Sequence, residues 1–204
     1  MEEGINLLRI AVNLHYAPAQ NYLGYCYGRG VGVKKDPAEA VRLFSLAADQ
    51  GYAKGQYNLG IYYENGIGVE KNPVEAVRFY QLATAQGFAL AQFNLGICYA
   101  SGIGVGKDPN KAISLYQLAA DQGQAQGQCA LGWCYQTGFG VGKDQAEAVR
   151  LYQLAADQGD AQAIECLERA KVPANLFKNS ATDPEREEKT ELKSAFHSVS
   201  KVKR

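Results

Sequence analysis

Apolar and small side chains recur along the chain with helical spacing, in segments separated by glycine-rich turns. One such segment covers residues 53–64. Its apolar and small positions, including Tyr57, Gly60 and Ile61, follow the i, i+3, i+4 spacing of a helix rather than the alternation of a strand. It stops before Gly66, because glycine readily takes the left-handed conformation that ends a helix. The pattern predicts an α-helix here.

A second helix is predicted from a start signal that follows each turn. Asp36 is a good N-cap, and Pro37 fits the first helical position, where a missing N–H costs nothing. Glu39 could reach back to the cap as a capping box. The pattern returns at residues 72–75 and 144–147, whereas residues 108–111 keep the cap and lose the glutamate. These second helices end at glycines in C-cap position, namely Gly51, Gly87, Gly123 and Gly159.

The helix pair is repeated at intervals of 36 residues. The Leu-Gly pair marks four copies, at Leu23-Gly24, Leu59-Gly60, Leu95-Gly96 and Leu131-Gly132. Residues 4–14 align with a second helix, and residues 161–171 align with a first helix that Glu168 makes polar, as expected of a terminal cap. We therefore predict an all-α repeat domain over residues 1–171, with four full repeats flanked by half-repeats, and a polar tail over residues 172–204.

The mid-helix glycines of the Leu-Gly pairs indicate close helix packing. Glycine inside a helix costs about 1 kcal/mol relative to alanine, so four copies of it need a structural reason. We expect a neighbouring helix to cross there, with Ala40, Ala76, Ala112 and Ala148 of the second helices facing the glycines.

These motifs resemble the Sel-one-like repeat family, which is related to tetratricopeptide repeats. The resemblance rests on Ala-x-x-Gln-x-x-Leu-Gly-x-x-Tyr, Gly-x-Gly-Val, Asp-Pro-x-x-Ala and Ala-Ala-x-Gln-Gly, and it covers residues 1–170. It implies a right-handed α-solenoid of 36-residue helix–turn–helix repeats. Members of the family are mostly adaptors and scaffolds in signalling, protein quality control and host–microbe contact. The expected function is therefore binding of a protein or peptide partner in a concave groove.

By the same resemblance, the first helix of each repeat lines the groove, and positions that vary between copies are the candidate contacts. They are mostly apolar or aromatic, with two asparagines that could bind a peptide backbone. The candidate protein-binding residues are Tyr25, Lys54, Tyr57, Asn58, Ile61, Leu90, Phe93, Asn94, Ile97, Gln126 and Trp133. Tryptophan and tyrosine are typical hot-spot residues. The alternative is that these side chains only pack inside a tight superhelix.

Composition gives no general attraction to nucleic acid or to anionic membranes. The chain has 21 Lys+Arg and 21 Asp+Glu, so its formal net charge is zero. No apolar run is long enough to span a membrane, and the start lacks a secretory signal. A cytoplasmic protein is expected, with export by a non-classical route as an alternative. The sequence does not predict an oligomeric state.

No set of residues predicts catalysis, a cofactor or a metal ion. The stretch from Gly102 to Asp108 superficially looks like a phosphate-binding loop, but it lacks the Ser or Thr after Gly-Lys and follows a helix. Only two histidines are present, His15 in a predicted loop and His197 in the tail. The five cysteines fit buried small residues in a reducing compartment.

One branch of the resembling family is cysteine-rich, secreted and reported to bind or hydrolyse β-lactams. That branch ties the two helices of each repeat with a disulfide. Here Cys26, Cys98 and Cys134 occupy the same first-helix position, and no second helix carries a matching cysteine. A β-lactam function is therefore not expected.

The tail after Val172 has two readings. Asp183-Pro184 could start a short helix, in which Leu192 and Phe196 would fall at helical spacing. The alternative is a disordered segment, since the composition turns polar.

Overall fold

The described part of the chain is built of short α-helices joined by tight turns. The computed structural model describes the backbone of residues 2–171 and the side chains of residues 3–169. Within this range there are ten α-helices and no strand. They are α1 Glu2–Asn13, α2 Ala17–Arg29, α3 Pro37–Asp49, α4 Ala53–Asn65, α5 Pro73–Ala85, α6 Ala89–Ser101, α7 Pro109–Asp121, α8 Ala125–Thr137, α9 Gln145–Ala156 and α10 Ala161–Lys171. The predicted all-α fold is confirmed. The predicted tail lies outside the described residues.

The second helices start as predicted, with one difference. The Asp36 carboxylate accepts hydrogen bonds from the backbone N–H groups of Ala38 and Glu39, at 3.1 and 3.0 Å. The capping box does not close, however. The Glu39 carboxylate instead pairs with the Arg42 guanidinium at 2.7 and 2.8 Å, and the Asp36 N–H donates to the carbonyl of Tyr27 in the preceding helix. Glu75 and Glu147 pair with arginines three residues on in the same way.

The Gly-x-Gly-Val turn ends each first helix and packs on the preceding repeat. Gly66 has a φ of 68°, and the N–H of Ile67 donates to the carbonyl of Tyr62, which closes the last turn of α4. Gly68 also has a positive φ, of 67°. A Cβ at Gly68 would collide with the backbone carbonyl of Pro37, at the start of α3. This turn therefore packs closely against the preceding repeat.

The described residues fall into two compact units. The first contains residues up to 98 together with 102–107, and the second contains residues 99–101 and those from 108 onward. In the first unit α2 packs on α3, α3 on α4 and α4 on α5, while α1 packs on α2. Part of its core contains Ile5, Leu23, Cys26 and Leu43. Another part contains Ala40, Phe44, Ala48, Leu59 and Phe79.

Close helix crossings in the first unit explain the mid-helix glycines. A Cβ at Gly60 would lie 2.6 Å from the ring of Tyr80 and 3.3 Å from the carbonyl oxygen of Ala76. A Cβ at Gly24 would likewise lie 2.9 Å from the ring of Phe44. The predicted close crossing is thus present, and an aromatic ring fills the space that the glycine leaves.

A hydrogen bond between one buried and one exposed glutamine links the two helices of a repeat. The Gln50 amide donates to the Gln20 side-chain oxygen at 2.7 Å, and Gln86 donates to Gln56 at 2.8 Å. The Gln56 amide in turn donates to the carbonyl of Ala48 in the preceding repeat, at 3.4 Å. These bonds satisfy amides that would otherwise be costly to bury.

The second unit repeats this construction. Helix α7 packs on α8, α8 on α9 and α9 on α10. Gln158 donates to Gln128 at 2.9 Å, and a Cβ at Gly132 would lie 2.9 Å from the ring of Tyr152. Helix α10 begins with an Asp160 cap, whose carboxylate accepts from the N–H of Ala163 at 2.8 Å.

Candidate binding surface

The candidate contact residues divide into three groups by exposure. Four of them are exposed: Tyr25, Lys54, Leu90 and Gln126. Three are half-buried: Tyr57, Asn58 and Ile97. Four are buried: Ile61, Phe93, Asn94 and Trp133. The buried group has little side-chain surface left for a partner, so its contribution to any binding is chiefly to hold the neighbouring helices in place.

The Tyr57 side chain lies at a helix flank rather than on an open face. Its ring centroid is 5.2 Å from that of Phe88 and 6.1 Å from that of Tyr80. Phe93 is the equivalent residue of the next repeat, and it is 4% exposed. Both residues therefore do part of the packing that was the alternative to a binding role.

The two candidate asparagines are engaged within the protein. Asn58 Nδ2 donates to Asn21 Oδ1 at 2.8 Å, which links α4 to α2. Asn94 is 6% exposed, and burial raises the pKa of the Tyr57 and Tyr80 hydroxyls while the Asn94 amide lowers it. Both side-chain amides therefore already interact within the protein.

In the second unit, Trp133 is 8% exposed, and its ring lies 5.2 Å from that of Phe139. Cys129, from the same first-helix column as Tyr57 and Phe93, is 5% exposed. Of the candidate residues Gln126 and Trp133 in this unit, Gln126 has the exposed side chain.

An open apolar surface lies at α1 and α2, and the sequence analysis missed most of it. Leu7 is 64% exposed, Tyr16 59% and Tyr22 56%. Tyr22 and Tyr25 stack with ring centroids 6.3 Å apart. Tyr22 could have been found from helical spacing, because it lies three residues before the predicted Tyr25 on the same face.

A cleft of about 570 Å³ opens on this surface, and we call it the α1–α2 cleft. Apolar side chains of both helices line it, and Tyr52 and Lys54 close one side. Deeper in the fold, the Gln20 side-chain nitrogen is buried without a hydrogen-bond partner among the described residues. Its equivalent, Gln56, bonds to a carbonyl of the preceding repeat. Among the described residues, the hydrogen bond that ties Gln56 to the preceding repeat therefore has no counterpart at Gln20, near this cleft.

Burial raises the pKa values of two tyrosines and one cysteine in the first unit. The Tyr80 hydroxyl donates to the Glu64 carboxylate at 2.6 Å, and burial raises the pKa of Tyr80 well above its usual value. Burial, with the Glu64 charge, raises the pKa of Tyr57 to about 12. The same two causes raise the pKa of the Cys98 thiol to about 12, which makes it a poor nucleophile.

Among residues 3–169, no cluster of His, Cys, Asp and Glu side chains could hold a metal ion. Of the five cysteines, four are buried and Cys166 is half-buried. No helix in the described range has the length and apolar character to cross a bilayer.

The fold and the surface define a class: a helical-repeat protein whose helix pairs stack through fixed joints and vary on the first helices. Within that class the chain belongs to the Sel1 repeat family, whose model matches residues 17–52, 53–88, 89–124 and 125–160. Sel1 repeats generally mediate protein interactions. The resemblance predicted from the sequence motifs is thereby confirmed.

Three solved structures illustrate the likeness. A Sel1 repeat protein from Oxalobacter formigenes is 38% identical with a TM-score of 0.77, over 82% of this chain and 67% of that one. The c5321 protein, a protective antigen of uropathogenic Escherichia coli, is 37% identical with a TM-score of 0.77, over 81% of this chain and 35% of that one. Helicobacter pylori cysteine rich protein B is 26% identical with a TM-score of 0.52, over 68% and 99%. No curated protein sequence matches significantly.

Proposed function

We propose that this protein is a scaffold or adaptor that binds a peptide or a segment of another protein on the exposed face of its first helices. The observation that carries the proposal is the pair Tyr22 and Tyr25, 56% and 45% exposed, beside the α1–α2 cleft. Large exposed aromatic side chains are costly in a monomer and are typical anchors of an interface.

The chemistry of this face indicates the kind of segment that would bind. The cleft is lined mainly by apolar atoms, so it suits an aliphatic or aromatic side chain of the partner. Lys54 at its edge, and Arg29 with its guanidinium 5.8 Å from the Tyr25 ring, add positive charge. A segment with an apolar residue flanked by an acidic one fits both features. Leu90 and Gln126, which are exposed on α6 and α8, are further candidate contacts.

The first testable prediction concerns this face. A peptide selected from a displayed library against the full chain should lose at least about tenfold in affinity with the double variant Tyr22→Ala, Tyr25→Ala, since interface aromatics commonly contribute more than 1 kcal/mol each. Titration calorimetry measures the affinity, and circular dichroism verifies the fold.

Val74→Ala is the matched control, because Val74 is 63% exposed and lies on the second helix α5. It should leave the affinity unchanged. Equal binding by the wild type and the tyrosine double variant would remove this face as the binding site.

We propose a cytoplasmic location and a non-catalytic role, since Sel1 repeat proteins are typically non-catalytic scaffolds. The second candidate is an exported host-interaction factor. It is supported by the 37% identity to c5321, which is described as a protective antigen. Fractionation of cultures of the source organism separates the two. Accumulation in the supernatant without a cytoplasmic marker protein would favour export.

A further inference from the structure

Two cysteines of the second unit occupy positions whose equivalents in the first unit are in direct contact. In the first unit, Asn58 of α4 donates to Asn21 of α2 at 2.8 Å. Three repeats of 36 residues further on, the same two positions are Cys166 of α10 and Cys129 of α8. The repeat register therefore places the two cysteines at equivalent positions on neighbouring first helices.

The surroundings of the two thiols agree with this placement. The Tyr152 hydroxyl on α9 donates to the Gln136 side-chain oxygen at 2.7 Å, and burial, followed by the nearby Cys166 and Cys129 thiols, raises the pKa of Tyr152. Cys129 interacts with Cys166 and with the Asp160 carboxylate at the start of α10. Both cysteines therefore lie around one buried phenol, within the second unit.

We propose that Cys129 and Cys166 form a disulfide that ties α8 to α10, with a low-molecular-weight disulfide such as glutathione disulfide as the oxidant. This link joins the first helices of successive repeats. It differs from a bridge between the two helices of one repeat, for which no second helix supplies a cysteine. The site is thus a modification site at the last described joint of the array.

The exchange proceeds in two balanced steps. The Cys166 thiolate attacks one sulfur of glutathione disulfide, the S–S bond breaks, and one glutathione thiolate leaves. The Cys129 thiolate then attacks the Cys166 sulfur of the mixed disulfide, and the second glutathione thiolate leaves. Two protein S–H groups are oxidised, one glutathione S–S bond is reduced, and the two protons end on the two glutathione thiols.

Exposure sets the order of these steps. Cys166 is half-buried and accessible to the oxidant, whereas Cys129 is 5% exposed. Burial raises the pKa of Cys129 far above its usual value, and the Asp160 carboxylate raises it further. The second step is therefore the slow one, and its rate should increase with pH.

Mass spectrometry of the full chain tests the proposal. The protein is incubated with glutathione disulfide under native conditions, quenched with acid and measured intact, and then alkylated and digested with trypsin. We expect loss of roughly 2 Da, the mass of two hydrogens, and a linked pair of peptides, 112–143 and 151–169.

Peptide 112–143 also contains Cys134, so matched variants assign the bond. Cys134 is fully buried on the same helix, and Cys134→Ala should keep the linked pair. Cys166→Ala should abolish it. A stable glutathione adduct on Cys166, or a linked pair that survives in Cys166→Ala, would overturn the proposal.

A second variant tests the register argument independently. The double substitution N21C, N58C places cysteines at the equivalent contact of the first unit, and it should form the same kind of bond. If this engineered pair becomes oxidised while Cys129 and Cys166 stay free under the same conditions, the proposed site is excluded.

Discussion

At the scale of single residues, His15 is held in a conformation that suits glycine. Its φ is 57°, and among the described residues it is the one non-glycine residue with a positive φ. It occupies the position of Gly51 in the next repeat, whose φ is 79°. The left-handed conformation costs an L-residue roughly 1–2 kcal/mol, so the first turn of the array is strained where the later copies are not.

His15→Gly should therefore stabilise the protein by about 0.5–1 kcal/mol, the strain relief less the extra chain entropy of glycine. Urea unfolding followed by circular dichroism measures this change. The converse substitution, Gly51→Ala, meets open space and should destabilise through backbone strain alone. If His15→Gly and Gly51→Ala both have the stability of the wild type, the backbone at these turns relaxes without strain.

The residue scale is also where the sequence was most informative. Caps and turn glycines follow from the chemistry of a few adjacent residues, so Asp36 and Gly66 could be assigned without tertiary information. The partner of Glu39 could not. A guanidinium three residues on offers two charge-assisted hydrogen bonds, and the Tyr27 carbonyl already accepts from the N–H that a capping box requires.

At the scale of helices, a helix crossing depends on the absence of one methyl group. The ring of Tyr80 lies over Gly60, where an added Cβ would come within 2.6 Å of it. Because Tyr80 is fully buried and its hydroxyl is tied to Glu64, the ring has little freedom to move.

Gly60→Ala should lower the free energy of unfolding by about 1–3 kcal/mol, although alanine is the better helix former. Thermal and urea unfolding measure the loss. Gly106→Ala is the control, since no atom lies within 4 Å of its added Cβ, and it should stay close to the wild type. An unchanged Gly60→Ala protein would show that the ring moves aside without cost.

The helix scale also limits what sequence alone could predict about the site. At about 100° per residue, Tyr57 points roughly 60° away from the direction of Lys54. This rotation separates an exposed side chain from one that packs against Phe88. Both residues vary between repeats, so variation alone did not distinguish the outward face from the flank.

At the scale of the whole molecule, buried phenols and thiols make stability sensitive to high pH. Burial raises the pKa of Tyr57 to about 12, and it raises the pKa of Cys134 to about 12. The folded state disfavours the ionised forms, whereas the unfolded chain ionises at ordinary values. The stabilising contribution of Tyr57 is therefore complete below about pH 10 and is lost as pH rises toward about 12.

Tyr57→Phe should flatten the fall of stability between pH 10 and pH 12, by up to about 1.4 kcal/mol per pH unit, the value for one proton. Phenylalanine already stands at the equivalent position 93, so the substitution fits a repeat of this type. Urea midpoints at pH 7, 10 and 11.5 measure the effect. An identical pH profile for both proteins would assign the alkaline loss to other groups.

The glutamine pairs have a consequence for how such a gene changes in length. Gln20 with Gln50, and Gln56 with Gln86, are bonded within one copy, and the Gln56 amide also reaches a backbone carbonyl that any sequence supplies. Unequal recombination that inserts or deletes 108 nucleotides, the coding length of a 36-residue copy, leaves each glutamine pair within its own copy intact. The array can therefore be lengthened or shortened without a new set of contacts between repeats. Each added copy brings its own variable outward residues.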